Sequence, residues 1–218
     1  MFGSAADAVP TTWEVVRGVA ATRVALVRHG ETEWNARGVY QGSRDVALSA
    51  HGRAQAAALA LRLAPVAFDA VYTSPLARAR ETAEVVLAGR GPGGLALVAH
   101  PVPAFGEFGY GAWEGVAPDE RRARWPDLDA RWSDDPWTVT PPGGESLAAL
   151  AARVLPAWNR LLGEHAGGTI AVFAHGHVNR VILLHARALP REAFWSVAQP
   201  NASAVLLDCR PDATAVSG

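Results

Sequence analysis

A chain of 218 residues, half of them apolar and 19% charged, is long enough for one or two domains with a sizeable core. Its net charge of −1 and isoelectric point near 6.7 leave no electrostatic footprint for nucleic acid or another bulk polyanion. The one cysteine, Cys209, excludes an internal disulfide and a cysteine-rich zinc site, and all 20 basic residues are arginine, which excludes a Walker A loop or a lysine Schiff base.

Residues 1–21 read as a peripheral extension, with 13–19 as an extra edge strand or a tail. They lack a basic n-region, and Asp7 and Pro10 interrupt any apolar run, so no signal peptide is expected. Nowhere does an apolar run approach the ~18 residues of a membrane span. A soluble cytoplasmic protein is the expectation, with neither membrane nor nucleic acid as partner. The Asn201-Ala202-Ser203 sequon carries no weight without secretion.

The apolar run Val24-Ala25-Leu26-Val27 reads as a buried strand that breaks abruptly into Arg28-His29-Gly30. A polar loop follows over 31–47. Ser49 caps an alanine-rich helix that Pro65 closes, and 69–73 is a second strand. Ser74-Pro75 is a helix start with proline at the first helical position, which puts Arg78 in the first turn. A cation gains nothing from the dipole there, whereas an anion bound at the helix end gives it a partner. GRGPGG (89–94) reads as a turn and 95–100 as a third strand.

A long connection over 101–144 follows, with short helices near 118–124 and 128–132. Connections of that length are usually lids or binding loops. It carries Trp113, Trp125, Trp132 and Trp137, either a satellite core or a substrate wall. Ser146 caps the next helix, whose apolar stripe runs from Leu147 to Leu162 and which Pro156 should kink. A strand over 169–174 again breaks into His175-Gly176. A helix over 178–188, a short one near 191–195 and a last strand over 203–208 complete the chain. The alternation predicts an α/β three-layer sandwich, a mostly parallel sheet with helices on both faces. Residues 22–218 would form one domain with a lid at about 101–144.

Two strands thus end in histidines at one edge of the sheet, where open α/β sheets bind ligands. One imidazole could attack phosphorus while Arg28 and Arg78 neutralise the phosphoryl oxygens and a carboxylic acid protonates the leaving group. The second imidazole would donate to the phosphoryl group. Residue chemistry alone does not choose among Glu107, Glu114 and Glu145 for the acid. A metal bound by His175, His177 and His29 competes, but the carboxylate cluster that often completes a hydrolytic metal site is missing, so no metal is expected. His51, His100, His165 and His185 read as surface or core residues, and Arg121, Arg122 and Arg124 as a solvated helix face.

RHGETEWN (28–35) resembles the signature of the histidine phosphatase superfamily, also called phosphoglycerate mutase-like. The resemblance continues in order through YQGSRDVALSAHGRAQA, TSPLARARETA, EFGYGAWEG, PPGGES and FAHGHVNR, and covers about residues 24–208. It implies His29 as nucleophile, Glu107 as proton donor, and Arg28, Arg78 and His175 as the phosphoryl pocket with the Gly176 amide nearby. It further implies Asn35 in the phosphate pocket and Gln41 and Gly42 at its mouth, with no cofactor. The moderate lid and the short tail after the last strand look more like the family's phosphatases than its cofactor-dependent mutases. The resemblance thus implies a phosphatase acting on a small-molecule phosphate ester, with a mutase as the alternative and a non-catalytic binding module behind both. An aromatic lid would suit bulky or partly apolar esters. Sequence alone leaves the choice between monomer and homodimer open.

Overall fold

The computed structural model describes residues 14–15, 20–91 and 97–210. Among these, six strands form one sheet: β1 (Glu14–Val15), β2 (Thr22–Arg28), β3 (Ala70–Thr73), β4 (Ala99–Pro101), β5 (Thr169–Ala174) and β6 (Ala204–Cys209). Their spatial order is β1-β6-β2-β5-β3-β4, and every neighbouring pair is parallel except β2 and β6. The helices are α1 (Glu33–Ala36), α2 (Ala50–Leu63), α3 (Ala77–Leu87), α4 (Pro118–Arg124), α5 (Pro126–Asp134), α6 (Leu147–Glu164) and α7 (Gly176–Ala186).

Strand periodicity separates the two cores. Ala25 and Val27 of β2, with Ala171 and Phe173 of β5, face Leu59 and Leu63 of α2 and Ala83, Val86 and Leu87 of α3. Val24 and Leu26, with Ile170 and Val172, face Leu150, Val154, Trp158 and Leu161 of α6, Val178 and Ile182 of α7, and the 101–144 segment. A one-residue slip of either central strand would exchange these faces, so burial fixes the register and the level at which each strand ends. The expected three-layer α/β sandwich is the observed one.

Helix caps follow the sequence at two places. Ser49 accepts from the Gly52 amide and Ser146 from the Ala149 amide. α6 continues through Pro156. Elsewhere the boundaries move. Ser74-Pro75 precedes the helix rather than starting it: Leu76 is the cap residue of α3, and the Ser74 hydroxyl accepts from the Leu76 amide at 3.2 Å. Arg78 nonetheless stays in the first turn. α7 begins at Gly176, two residues earlier than expected, so its N-terminus follows His175 directly. Thr32 and Asn35 form a capping box that turns part of the expected loop into α1. The third strand is shorter than expected; residues 95–96 of it, and 92–94 of the expected turn, lie outside the described residues. So does most of 1–21, of which Glu14–Val15 is an edge strand parallel to β6. Among the described residues no helix is long and apolar enough to cross a membrane.

Candidate active site

Arg28 closes β2 opposite Ala174 at the end of β5, so His29 and His175 leave two adjacent strands at one level. The two imidazoles meet edge-on, ring centroids 5.2 Å apart. His29 Nδ1 lies 2.7 Å from the Gly30 carbonyl oxygen. A carbonyl only accepts, so Nδ1 carries the proton and the lone pair resides on Nε2. Burial, then the charges of Arg78 and Arg28, push His29 well below the ordinary imidazole value. At neutral pH it is therefore an uncharged, nucleophilic ring. A Cβ on Gly30 would collide with the Gly52 carbonyl, so glycine lets this loop lie against the start of α2.

A cavity of about 270 Å³ opens here, walled by Arg28, His29, Asn35, Gln41, Gly42, Arg78, Glu107 and Gly176, together with Tyr40, Tyr110, His177, Arg180 and Trp195. Of the expected site residues, His175 alone is missing from that wall. It is fully buried beside His29, with Nε2 2.7 Å from the Ser74 hydroxyl. Burial and the Arg78 charge hold it neutral too. Its ring therefore lies between His29 and Ser74. The cause is local: the Ser74 amide bonds to the Phe173 carbonyl, and that register brings its hydroxyl to the ring.

Both expected arginines are held by carbonyls. Arg78, 1% exposed, donates from Nη1 to Arg44 O (2.7 Å) and from Nη2 to Gly42 O (2.8 Å). Gly42 can offer that carbonyl because its φ of +54° suits glycine. Burial lowers Arg78 to about 10, so it stays charged at neutral pH. Arg28 donates to the Gln199 carbonyl, and burial lowers it as well. Asn35 Oδ1 accepts from the Thr32 amide at 3.2 Å.

The structure also separates the three glutamates. Glu114 binds the Ser43 amide and hydroxyl and the Tyr110 amide, tying the loop after α1 to the lid. Glu145 pairs with Arg153 at 2.6 Å and accepts from the Gly109 amide. Glu107 faces the cavity. Burial pushes its carboxyl up, but His177, His175 and the Phe108 amide together outweigh that and hold it well below the ordinary value. It is a carboxylate among Arg28, Arg78 and Arg180.

Residues 24–218 match the profile of the Histidine phosphatase superfamily (branch 1). The chain belongs to this superfamily. It is 36% identical over 165 residues to a 2,3-bisphosphoglycerate-dependent phosphoglycerate mutase of Mesorhizobium japonicum, covering 74% of this chain and 79% of that one. It superposes on Bacillus stearothermophilus YhfR with a TM-score of 0.79 at 32% identity, over 85% of this chain and 90% of the other. For a mycobacterial glucosyl-3-phosphoglycerate phosphatase the TM-score is 0.76 at 28% identity, over 84% and 91%. The phosphoglycerate mutase-like fold expected from the motifs is therefore the one present, and the superfamily spans both mutases and phosphatases.

Several site residues of this superfamily member escaped the sequence reading. His177 and Arg180, three apart on α7, share a face, a spacing visible only once the helix is known to start at Gly176. Asn201, seen as a sequon, directs its amide at the His29 and Gly30 carbonyls (3.3 and 3.4 Å). Of the four tryptophans in 101–144, Trp113 and Trp132 are buried in the core and Trp125 and Trp137 pack partly buried against it; the aromatic side chains on the cavity wall are Tyr40, Tyr110 and Trp195. Arg121 is no solvated side chain either. It is buried, paired with Asp129 and stacked over Tyr40, whereas Arg122 and Arg124 pair with Asp119 and Glu120 at the surface. Cys209 is buried in β6 as expected. Among the described residues no three His, Cys, Asp or Glu side chains cluster as metal ligands.

Proposed function

We propose that the protein is a phosphomonoesterase acting through a phosphohistidine on His29. One observation carries this reading: around a neutral imidazole with its lone pair on Nε2, the cavity wall holds three guanidiniums against one carboxylate. Buried cations held by carbonyls rather than carboxylates favour a dianion, and a phosphomonoester near neutral pH is one.

In this scheme His29 Nε2 attacks phosphorus and the bond to the leaving oxygen breaks. Arg28, Arg78 and the N-terminal amides of α7 beginning at Gly176 stabilise the transferring group. Glu107, protonated, gives its proton to the leaving alcohol. The arriving phosphate supplies that state, because its negative charge raises a nearby carboxyl. Water then attacks the phosphohistidine, the Glu107 carboxylate takes its proton, and the phosphorus–nitrogen bond breaks to release phosphate. His175 and Ser74 support the nucleophile from behind, and Asn35, Gln41 and Gly42 shape the pocket. The scheme uses no metal and no organic cofactor. Tyr40, Tyr110 and Trp195 favour small-molecule esters whose leaving group has an apolar or ring face.

The identity to a phosphoglycerate mutase favours a second reading, in which a bound phosphoglycerate rather than water receives the phosphoryl group. The deciding experiment is p-nitrophenyl phosphate hydrolysis in excess EDTA by wild type and His29→Ala, with a phosphoglycerate mutase assay primed by a bisphosphate alongside. Turnover that survives EDTA and disappears in the variant supports the phosphatase. Interconversion of phosphoglycerates far faster than their hydrolysis supports the mutase, and turnover undiminished in His29→Ala refutes both.

A further inference from the structure

We infer that His177, oriented by Tyr110, is a positioning residue that conditions Glu107 for its two opposite tasks and so sets the pH range of hydrolysis. The inference rests on the phosphatase reading, although the placement of Glu107 can be tested without it.

Glu107 Oε1 is fixed by the Phe108 amide at 2.9 Å. Its other oxygen faces α7, 3.5 Å from the His177 amide and 3.9 Å from His177 Nδ1. The ring of His177 cannot swing freely. It stacks on Phe108 (centroids 5.4 Å, 22°) and Trp132 (6.0 Å, 21°), with Trp195 edge-on at 5.6 Å. The Tyr110 hydroxyl lies 3.1 Å from Nε2 and 3.4 Å from Nδ1, and Tyr110 itself lies flat on Tyr40 at 4.1 Å.

These contacts assign the protons. Burial holds the Tyr110 phenol well above its ordinary value, so it keeps its hydrogen and can donate to Nε2. Burial also keeps His177 neutral. The neighbouring carboxylate, which can only accept, favours the tautomer with the ring proton on Nδ1, facing Glu107. A neutral N–H dipole 3.9 Å from the carboxylate lies beyond hydrogen-bond distance and acts electrostatically, as an intermediate influence. An imidazolium would hold the carboxyl ionised even beside a phosphate dianion and prevent it from acting as an acid. With no donor, the carboxylate left when the proton goes to the alcohol would take up another from solvent and serve poorly as the base for water. The other groups facing Glu107 are Arg28 and His29 at the end of β2, Tyr110 from its own segment, Arg78 from α3, and His175 and Arg180 around the start of α7; Arg180 and Arg28 also face His177. All of them remain when His177 is replaced.

The test titrates the Glu107 carboxyl by ¹³C NMR in full-length, glutamate-labelled protein, with Glu107→Gln identifying its resonance. His177→Phe keeps the stacking and removes the donor, and Glu107 should then titrate about one pH unit higher. Tyr110→Phe should shift it the same way by less, and it carries the test if the first variant does not fold. In parallel, the basic limb of alkyl phosphate hydrolysis, in which the leaving alcohol needs the Glu107 proton, should move to higher pH by a similar interval. An unchanged Glu107 titration in the folded variants overturns the inference, as does a basic limb that stays in place. A shifted titration in a protein that hydrolyses no phosphomonoester removes the phosphatase reading and leaves His177 as the residue that positions Glu107.

Discussion

The His29 amide donates to the Ala174 carbonyl at 3.1 Å, and through that bond the ends of two parallel strands hold a pair of histidine rings in contact. The bond continues the β2–β5 ladder one residue beyond Arg28, so the nucleophile proposed here is anchored on the sheet rather than on a free loop. His29→Ala should therefore lose hydrolysis by roughly 10⁴-fold or more while retaining its melting temperature within a few degrees. Rapid quench with ³²P-labelled substrate should trap an acid-labile, base-stable phosphoenzyme in wild type and none in the variant.

Arg78 joins the cavity wall to the Gly42–Arg44 loop through two donors aimed at two carbonyls. Lysine supplies one charged nitrogen and cannot span both. Arg78→Lys is expected to lower kcat/KM by about 10²- to 10³-fold despite keeping the charge. Steady-state kinetics with wild-type-like values would show that the fork is dispensable.

Glu107→Gln keeps the shape of the carboxyl but cannot give up a proton. Alkyl phosphates, whose alcohol leaves only when protonated, should lose about 10²- to 10⁴-fold in kcat. p-Nitrophenyl phosphate, with a stable leaving anion, should lose much less in the first step. Equal losses for both substrates would remove Glu107 as the acid.

Acid should destabilise the protein. His29, His175 and His177 are all held below the ordinary imidazole value by burial, so the unfolded chain takes up protons first. Stability is full above about pH 6.5 and is lost as pH falls toward the folded-state values, by up to ~1.4 kcal/mol per pH unit for each histidine. Glu107, also depressed, acts in the same direction at lower pH. Urea unfolding between pH 7.5 and 5.5 should show this slope, and a shallower one in His177→Phe. A flat or rising profile on acidification would contradict the neutral assignment.

Trp113 is completely buried, whereas Trp195 is 37% exposed and on the cavity wall. Trp113→Ala should cost about 3–5 kcal/mol in chemical denaturation. Trp195→Ala should leave stability nearly unchanged and raise KM for aryl phosphates. The reverse pattern would restore the lid tryptophans as a substrate wall.

The candidate site was largely legible because the proposed nucleophile, its arginines and the strand breaks are local in sequence. Val24 to Gly30 carries a strand, its end and the reactive histidine together, and Thr169 to Gly176 repeats the arrangement. Family motifs then picked out Glu107, for which local chemistry offered no preference over Glu114 or Glu145. The five main strands and the helix caps at Ser49 and Ser146 followed from alternation and side-chain type, since each depends on neighbours a few residues away.

By itself, then, the sequence determined the α/β class, the edge of the sheet at which the cavity opens and several of the residues that line it. Only the tertiary structure decided that His175 turns to Ser74, that His177 and Arg180 face Glu107, that Asn201 holds the His29 loop, and that the lid tryptophans fill a core. Each of these depends on strand register and on packing between segments far apart in the chain. A side chain's identity says what it can donate or accept, while its partner is chosen by the fold.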